Sequence, residues 1–237
     1  MTAKRSNPRG GYAPSTPTTT MFSVFGLFVA AFVADWLSGG LLVKHLLLYP
    51  AGIVTHPWQL LTTNVVPYDI LHILSTLIVL GLFGTSVEQR IGRRRVLVTM
   101  FGSAIGGAFV AAIVGQFVWK NSVYAGWDGP SMALLGAWGV IFAAEPMALF
   151  GTIQIRSTTM AGIFLLMRVI SDYKNGQLLG IVGGVTAAVI GALLSGYGGR
   201  LMPLIRDYRD KLRKKQQRKG FVVIDGGKRP SEPRFWN

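Results

Sequence analysis

The fold is decided by the stretch from Trp127 to Ala144, which reads Trp-Asp-Gly-Pro-Ser-Met-Ala-Leu-Leu-Gly-Ala-Trp-Gly-Val-Ile-Phe-Ala-Ala. It predicts an apolar helix, and Pro130 suits its first turn because the missing N–H group leaves no hydrogen bond unmade there. A helix from Ser131 to Ala144 would be about 21 Å long, whereas a bilayer core is about 30 Å thick. Ser131 would therefore begin a short helix at depth, after a loop that enters the membrane.

Ser131 has two interpretations at this position. Irregular backbone inside a membrane is tolerated only within protein or beside a wet cavity, and a serine hydroxyl in such a cavity is a candidate nucleophile. Alternatively, Ser131 caps a short buried helix. Taken alone, the stretch favours the cap.

The composition is typical of a membrane protein. The 237 residues are 50% hydrophobic and 14% charged, and the mean hydropathy is +0.42. Soluble domains usually carry about 25% charged residues. The chain has no Cys, which excludes disulfides, thiol chemistry and Cys-based zinc sites. Its three His are too scattered to indicate a metal site, and we expect no cofactor.

The apolar segments predict an all-α, polytopic bundle of six transmembrane helices over residues 21–196. A disordered cytoplasmic leader, 1–20, precedes the bundle because it is polar, basic and rich in Pro, Ser and Thr. A basic cytoplasmic tail, 197–237, follows it. The predicted crossings are 21–37, 70–87, 96–118, 131–144, 157–170 and 178–195.

The distribution of Lys and Arg predicts the orientation. Twenty of the 24 lie in the leader, the turn at 88–95, position 156 and the tail. The positive-inside rule then places both termini in the cytoplasm, and we expect a multi-pass protein of the cell inner membrane. Anionic lipid headgroups are closer partners for the tail than nucleic acid, at about 1 kcal/mol per basic residue. We expect no nucleic-acid partner.

Several short motifs then follow one another in a specific order: Pro57-Trp-Gln-Leu-Leu-Thr62, Leu71-His-Ile-Leu74, Leu82-Phe-Gly84 followed by Glu88 and Gly92, Gly129-Pro-Ser131, and Gly183-Gly184. In order and spacing, residues 57–195 resemble the rhomboid superfamily of intramembrane serine proteases. Gln59 stands where that family usually has Arg.

The resemblance implies a role for each matched position. Ser131 takes the position of the nucleophile and His72 that of an oxyanion donor. Thr76 replaces an Asn that supports the oxyanion, Ile181 replaces the general-base His, and Met132 replaces a Gly. Structural roles fall to the remaining matched positions, Gly129, Glu88, Gly92, Gly183 and Gly184. We expect the last two to pack the sixth helix against the fourth.

These replacements bear directly on catalysis. A serine hydroxyl needs a partner that takes its proton, and residues 178–195 contain no His or carboxylate. His72 would be a substitute base, but the oxyanion would then lose a donor worth about 3–4 kcal/mol. Lys174 is a second substitute, although no motif places it near Ser131.

We therefore expect a non-proteolytic rhomboid-like protein that binds transmembrane clients, as the family's inactive rhomboids and derlins do. The alternative is an active intramembrane serine endopeptidase with Ser131 as nucleophile. A third hypothesis, a small-molecule transporter, is disfavoured because the second, third, fourth and sixth predicted helices lack charged residues at depth.

Overall fold

The computed structural model describes residues 17–66, 70–119, 122–126, 128–143, 145–149 and 153–197. Most of the predicted leader and the whole tail from 198 onward lie outside these ranges. The described residues are mostly helical. The α-helices are α1 Thr19–Leu37, α2 Leu41–Leu46, α3 Gln59–Thr62, α4 Ile70–Val79, α5 Thr85–Ile91, α6 Arg93–Leu97, α7 Ser103–Val118, α8 Gly129–Ile141, α9 Ser157–Lys174 and α10 Leu178–Ala192.

Three turns of π-helix interrupt or extend these helices. Leu80–Gly84 joins α4 to α5, Val98–Gly102 joins α6 to α7, and Leu193–Tyr197 follows α10. The predicted second crossing therefore continues to Ile91, four residues beyond its expected end. Gly92 ends it with a φ of +85°, a conformation that glycine adopts without steric cost.

A small antiparallel hairpin lies between α8 and α9, where the all-α prediction has no strand. Its strands are β1 Pro146–Leu149 and β2 Ile153–Arg156, with Pro146 opposite Arg156 and Leu149 opposite Ile153. Ile153 and Ile155 are β-branched residues that favour strands. The amino-acid sequence gives little signal for this hairpin, because both strands have only four residues and lie next to apolar helices.

Three described helices are long and apolar enough to cross a membrane: Thr19–Leu37, Arg93–Val118 and Leu178–Gly196. The helix α8 has only 13 residues, and α9 carries Arg168, Asp172 and Lys174. The chain is thus a mostly helical membrane protein. The count of six crossings stays a prediction.

The short helix α8 forms the centre of the packing. Twelve of its 13 residues are buried, as expected for a helix that is apolar all round and enclosed by other helices. Trp138 is completely buried and packs against Phe83 with ring centroids 4.6 Å apart. Phe83 also meets Phe164 of α9 at 5.6 Å. The predicted central stretch is therefore the core of the bundle.

The long segment between α1 and α4 is held against the loop that precedes α8. The backbones of Leu48 and Tyr124 pair as an antiparallel bridge, and the Thr63 hydroxyl donates to the carbonyl of Tyr124 at 2.9 Å. Gln59 is buried, and its amide connects the carbonyl of His45 with the backbone N–H of Tyr49. The uncharged Gln59 side chain therefore stabilises this loop through two hydrogen bonds to its backbone.

Candidate functional site

Ser131 lies in the first turn of α8 and is only 2% exposed. Its hydroxyl donates a hydrogen bond to the backbone carbonyl of Asp128, with the two oxygens 2.8 Å apart. The backbone N–H of Met132 donates to the same carbonyl at 2.9 Å. The Ser131 proton is therefore directed toward the preceding turn of backbone.

The loop before Ser131 fits tightly against its neighbours. A methyl group added to Gly129 would lie 2.7 Å from Oδ1 of Asn64 and 2.8 Å from Cβ of Ala104. Real side chains do not tolerate such distances, so this position requires glycine. Gly129 therefore has a packing role that fixes the height at which α8 begins.

Ile181 of α10 lies across a small cavity from Met132. The cavity has a volume of about 10 Å³ and is also lined by Arg168, Asp172 and Gly184, among others. A space of this size holds about one water molecule. The aliphatic Ile181 side chain offers this cavity no atom that accepts a proton.

A buried ionic cluster lies beside this cavity. The Arg168 guanidinium of α9 is paired with the carboxylates of Asp128 and Asp172, and its Nη2 atom lies 2.7 Å from Oδ1 of Asp172. The three side chains are between 5% and 16% exposed. Buried charges are costly unless they are paired. This cluster therefore connects the loop before α8 with the far end of α9.

Two glycines of α10 lie close to Asp172 of the ionic cluster and to Tyr124. A methyl group at Gly180 of α10 would lie 3.2 Å from Oδ2 of Asp172. Gly183, almost one turn later, lies against the phenol ring and hydroxyl of Tyr124. Because these residues are glycines, α10 approaches the carboxylate and the phenol closely.

Burial raises the pKa of two acidic side chains in the loop before α8, Tyr124 and Asp128. It raises the pKa of the Tyr124 hydroxyl, and the nearby Asp128 and Asp172 carboxylates raise it further. Burial also raises the pKa of the Asp128 carboxyl, and the Arg168 guanidinium offsets only part of that increase. Asp128 therefore binds a proton more readily than a free aspartate does.

The predicted oxyanion residues are in α4. His72 is its third residue, but the His72 side chain lies outside the part of the chain that the structure describes. Thr76 is 2% exposed, and its hydroxyl has no hydrogen-bond partner among the described residues. Thr76 is thus directed into the packed interior of the bundle.

Glu88 and Gly92 are far along the chain from Ser131 and have local roles. The Glu88 carboxylate accepts hydrogen bonds from the hydroxyls of Thr18 and Thr20, the second at 2.6 Å. It therefore fastens the start of α1 to α5. Gly92 provides the turn between α5 and α6.

The expected packing against the fourth helix holds for Gly184 and needs correction for Gly183. A methyl group at Gly184 would lie 3.5 Å from Met132 of α8, an ordinary contact. Gly183 instead lies against Tyr124, and its carbonyl is approached by Gly107 of α7. The Gly183 position therefore brings α10 close to α7 rather than to α8.

The amino-acid sequence alone does not predict the ionic cluster as part of the site. Arg168 is one of the four Lys and Arg residues outside the segments that predict the cytoplasmic side. Arg168 and Asp172 are four residues apart, a spacing that places them on one face of a helix. That spacing inside an otherwise apolar segment was the available signal, whereas nothing in the sequence pairs them with Asp128.

Comparison with known proteins agrees with this architecture. A family model described as the Rhomboid domain matches residues 54–197, more than half of the chain. No curated protein matches the sequence. The matched segment begins in the loop before α3, contains Ser131 and the ionic cluster, and ends with the last turn after α10. The chain therefore belongs to the rhomboid superfamily, as its motifs predict, and its apolar helices make it an integral membrane protein.

Proposed function

We propose that this rhomboid protein binds transmembrane clients without cleaving them. The observation that carries the proposal is the hydrogen bond from the Ser131 hydroxyl to the Asp128 carbonyl. A backbone carbonyl accepts a hydrogen bond but is far too weak a base to remove the serine proton. The hydroxyl is thus satisfied without being activated.

The neighbouring acidic groups support the same proposal. The Asp128 and Asp172 carboxylates are both paired with Arg168. Either carboxylate would have to leave a buried ion pair before it could accept the Ser131 proton, and breaking such a pair costs about 3–5 kcal/mol. The aliphatic Ile181 supplies no replacement base from α10.

A client helix would meet apolar surfaces on this protein. Leu166, Met167 and Ile170 of α9 are all exposed, as are Leu74 and Ile78 of α4. In lipid, apolar exposure alone does not drive association, so close packing and polar contacts determine affinity. We therefore expect clients to bind through helix packing, with the basic tail adding contacts to anionic lipid headgroups.

The alternative function is that of an active intramembrane endopeptidase. It is favoured by the position of Ser131, buried at the start of a short helix and close in sequence to a carboxyl whose pKa burial raises. In that mechanism the Ser131 oxygen attacks a substrate carbonyl while its proton passes to His72 or a freed carboxylate.

Reconstituted protein distinguishes the two functions. A panel of fluorescent single-pass helices is added to liposomes that contain the wild type, Ser131→Ala or Ser195→Ala. The Ser195 hydroxyl donates to the carbonyl three residues earlier at 2.7 Å, so it provides a matched buried serine. We expect binding of at least one helix with equal affinity in all three proteins and no cleavage. Cleavage that is lost only in Ser131→Ala would establish the endopeptidase.

A further inference from the structure

An open cavity lies where the turn between α5 and α6 meets the end of α10. Its volume is about 530 Å³. It is lined by Ile91, Gly92, Arg93, Arg94, Arg95, Val98 and Leu194. Three consecutive arginines thus share one cavity with aliphatic side chains.

The cavity lies at the ends of two helices that are long and apolar enough to span a membrane. Arg93 begins the span that runs to Val118, and Leu194 is close to the end of the span Leu178–Gly196. Where a spanning helix ends, its surroundings change from hydrocarbon to lipid headgroups. The arginines are therefore at headgroup level, and the aliphatic residues lead toward the hydrocarbon.

The charge of the cavity is not balanced by the described protein. Arg93, Arg94 and Arg95 are exposed, and among the described residues no carboxylate lies within ion-pair distance of them. By contrast, nearby Arg90 pairs with Glu145 at 3.3 Å. Three adjacent guanidinium groups repel one another, and a bound anion would relieve that repulsion. Guanidinium groups also match the planar geometry of phosphate oxygens.

The aliphatic residues Val98 and Leu194 in the cavity lining favour a lipid over a free phosphate ion as its ligand. Val98 is 55% exposed and Leu194 is 42% exposed. Both lie on helices that are long and apolar enough to span a membrane, so the acyl chain of a bound lipid would run beside them. An inorganic phosphate would contact the arginines alone, whereas a phospholipid would contact both parts of the cavity.

We propose that this cavity binds an anionic phospholipid, with the lipid phosphate on Arg93 and Arg94 and an acyl chain along Val98 and Leu194. Arg95 lies beside Gly196, in the turn after α10. A methyl group added to Gly196 would lie 3.4 Å from the Nη1 atom of Arg95. A lipid held there joins the α5–α6 turn to the end of α10. The lining of the site includes no residue of the Ser131 region.

The test uses the purified full-length chain in detergent and native mass spectrometry with phosphatidylglycerol. A buffer of about 0.5 M ammonium acetate screens the interaction of charges in solvent beyond about 4 Å. We expect Arg93→Gln/Arg94→Gln to bind about 25-fold more weakly than the wild type. That factor corresponds to about 1 kcal/mol for each basic residue removed.

The matched control is Arg90→Gln/Arg156→Gln, which removes the same charge outside the cavity and should bind within about twofold of the wild type. Arg93→Lys/Arg94→Lys keeps the charge and should restore most of the binding. Leu194→Ser should weaken phosphatidylglycerol binding while the weak binding of soluble glycerol phosphate stays unchanged.

Three results would overturn the proposal. Equal losses in the two double glutamine variants would mean that only total charge matters. Equal affinity for phosphatidylcholine would mean that the arginines do not recognise an anionic headgroup. Equal affinity for glycerol phosphate would mean that the cavity is a phosphate site that does not require the acyl chains.

Discussion

Gly136 of α8 lies directly against the backbone of Ala188 in α10. A methyl group added to Gly136 would overlap the Ala188 carbonyl and lie 2.7 Å from its carbonyl carbon. Gly191 of α10 meets Ala133 of α8 in the same way, with its added methyl 2.8 Å from the carbonyl carbon. These reciprocal contacts, three residues apart on each helix, bring two antiparallel helices together at backbone distance.

The contact between Gly136 and Ala188 predicts that one added methyl group lowers the stability of the protein. Gly136→Ala should destabilise the protein by about 1–3 kcal/mol, because overpacking forces the backbones apart. Gly162→Ala is the control, since the space around Gly162 in α9 is open. Thermal unfolding in detergent should show a lower Tm for Gly136→Ala and an unchanged or raised Tm for Gly162→Ala. Similar Tm values in both variants would show that α8 and α10 are not in backbone contact.

The ionic cluster predicts a second effect on stability. Arg168→Met should destabilise by about 3–5 kcal/mol, because it leaves the Asp128 and Asp172 carboxylates buried without a counter-charge. Adding Asp128→Asn and Asp172→Asn to Arg168→Met should recover much of the loss. The exposed Arg156→Met is the control. A Tm for Arg168→Met equal to that of Arg156→Met would contradict the buried ion pairs.

Ser131 should be chemically quiet. Losing a positioned general base typically costs about 10²–10⁴ in rate, so a fluorophosphonate serine-hydrolase probe should not label the protein. Ile181→His alone should restore little labelling, because Thr76 and Met132 still occupy the positions where the resemblance implies supporting residues. Stoichiometric labelling that disappears in Ser131→Ala but persists in Ser195→Ala would show an activated nucleophile.

The bond between α1 and α5 predicts a third effect on stability. Thr20→Ala removes one of two hydroxyls that donate to the buried Glu88 carboxylate, and hydrogen bonds to charged groups contribute about 1.5–3 kcal/mol. Thr20→Ser should retain the bond and most of the stability. Ser23→Ala, which removes an exposed hydroxyl, is the control. A Tm unchanged by Thr20→Ala but lowered by Ser23→Ala would be the opposite of our expectation.

Both termini should be cytoplasmic. The chain has no Cys, so a single Cys at position 6 or 216 can be tested with a thiol reagent that does not cross membranes. We expect both positions to label only after the cells are opened. A Cys at Val54, 86% exposed in the predicted outer loop, should label in intact cells. Labelling of position 6 or 216 from outside would reverse the orientation.

The positions of the helices could be predicted because apolar segments of this length leave few alternatives. The end of α1 at Leu37 was predicted at the correct residue, and Ile70 was correctly predicted to lie in α4. The end of its continuation was predicted too early, at 87, because Glu88 was taken as the first residue of a turn. In the structure Glu88 remains helical, since its charge is satisfied by Thr18 and Thr20.

The candidate site could be predicted only in part. The position of Ser131 at the start of α8 follows from local sequence. The ion pair from Asp128 to Arg168 joins residues 40 positions apart, and no periodicity reports such a contact. The contacts of the α10 glycines could likewise be predicted only in part. Composition shows that α10 packs closely, but only the fold shows that Gly191 rather than Gly184 meets the α8 backbone.

The spacing of Arg168 and Asp172 has a consequence for biosynthesis. A charged residue within a membrane helix costs up to about 2.5–3.5 kcal/mol when the translocon inserts that helix, and less toward the helix end where Arg168 and Asp172 lie. Because these two residues are four positions apart and already 2.7 Å from one another, α9 carries its own counter-charge. As a predicted crossing, α9 should therefore enter the bilayer with Arg168 already paired, before its neighbours have gathered around it. Asp128, synthesised earlier, contacts the guanidinium only once α9 lies against the loop before α8, so this ion pair forms with the tertiary structure and not with the helix.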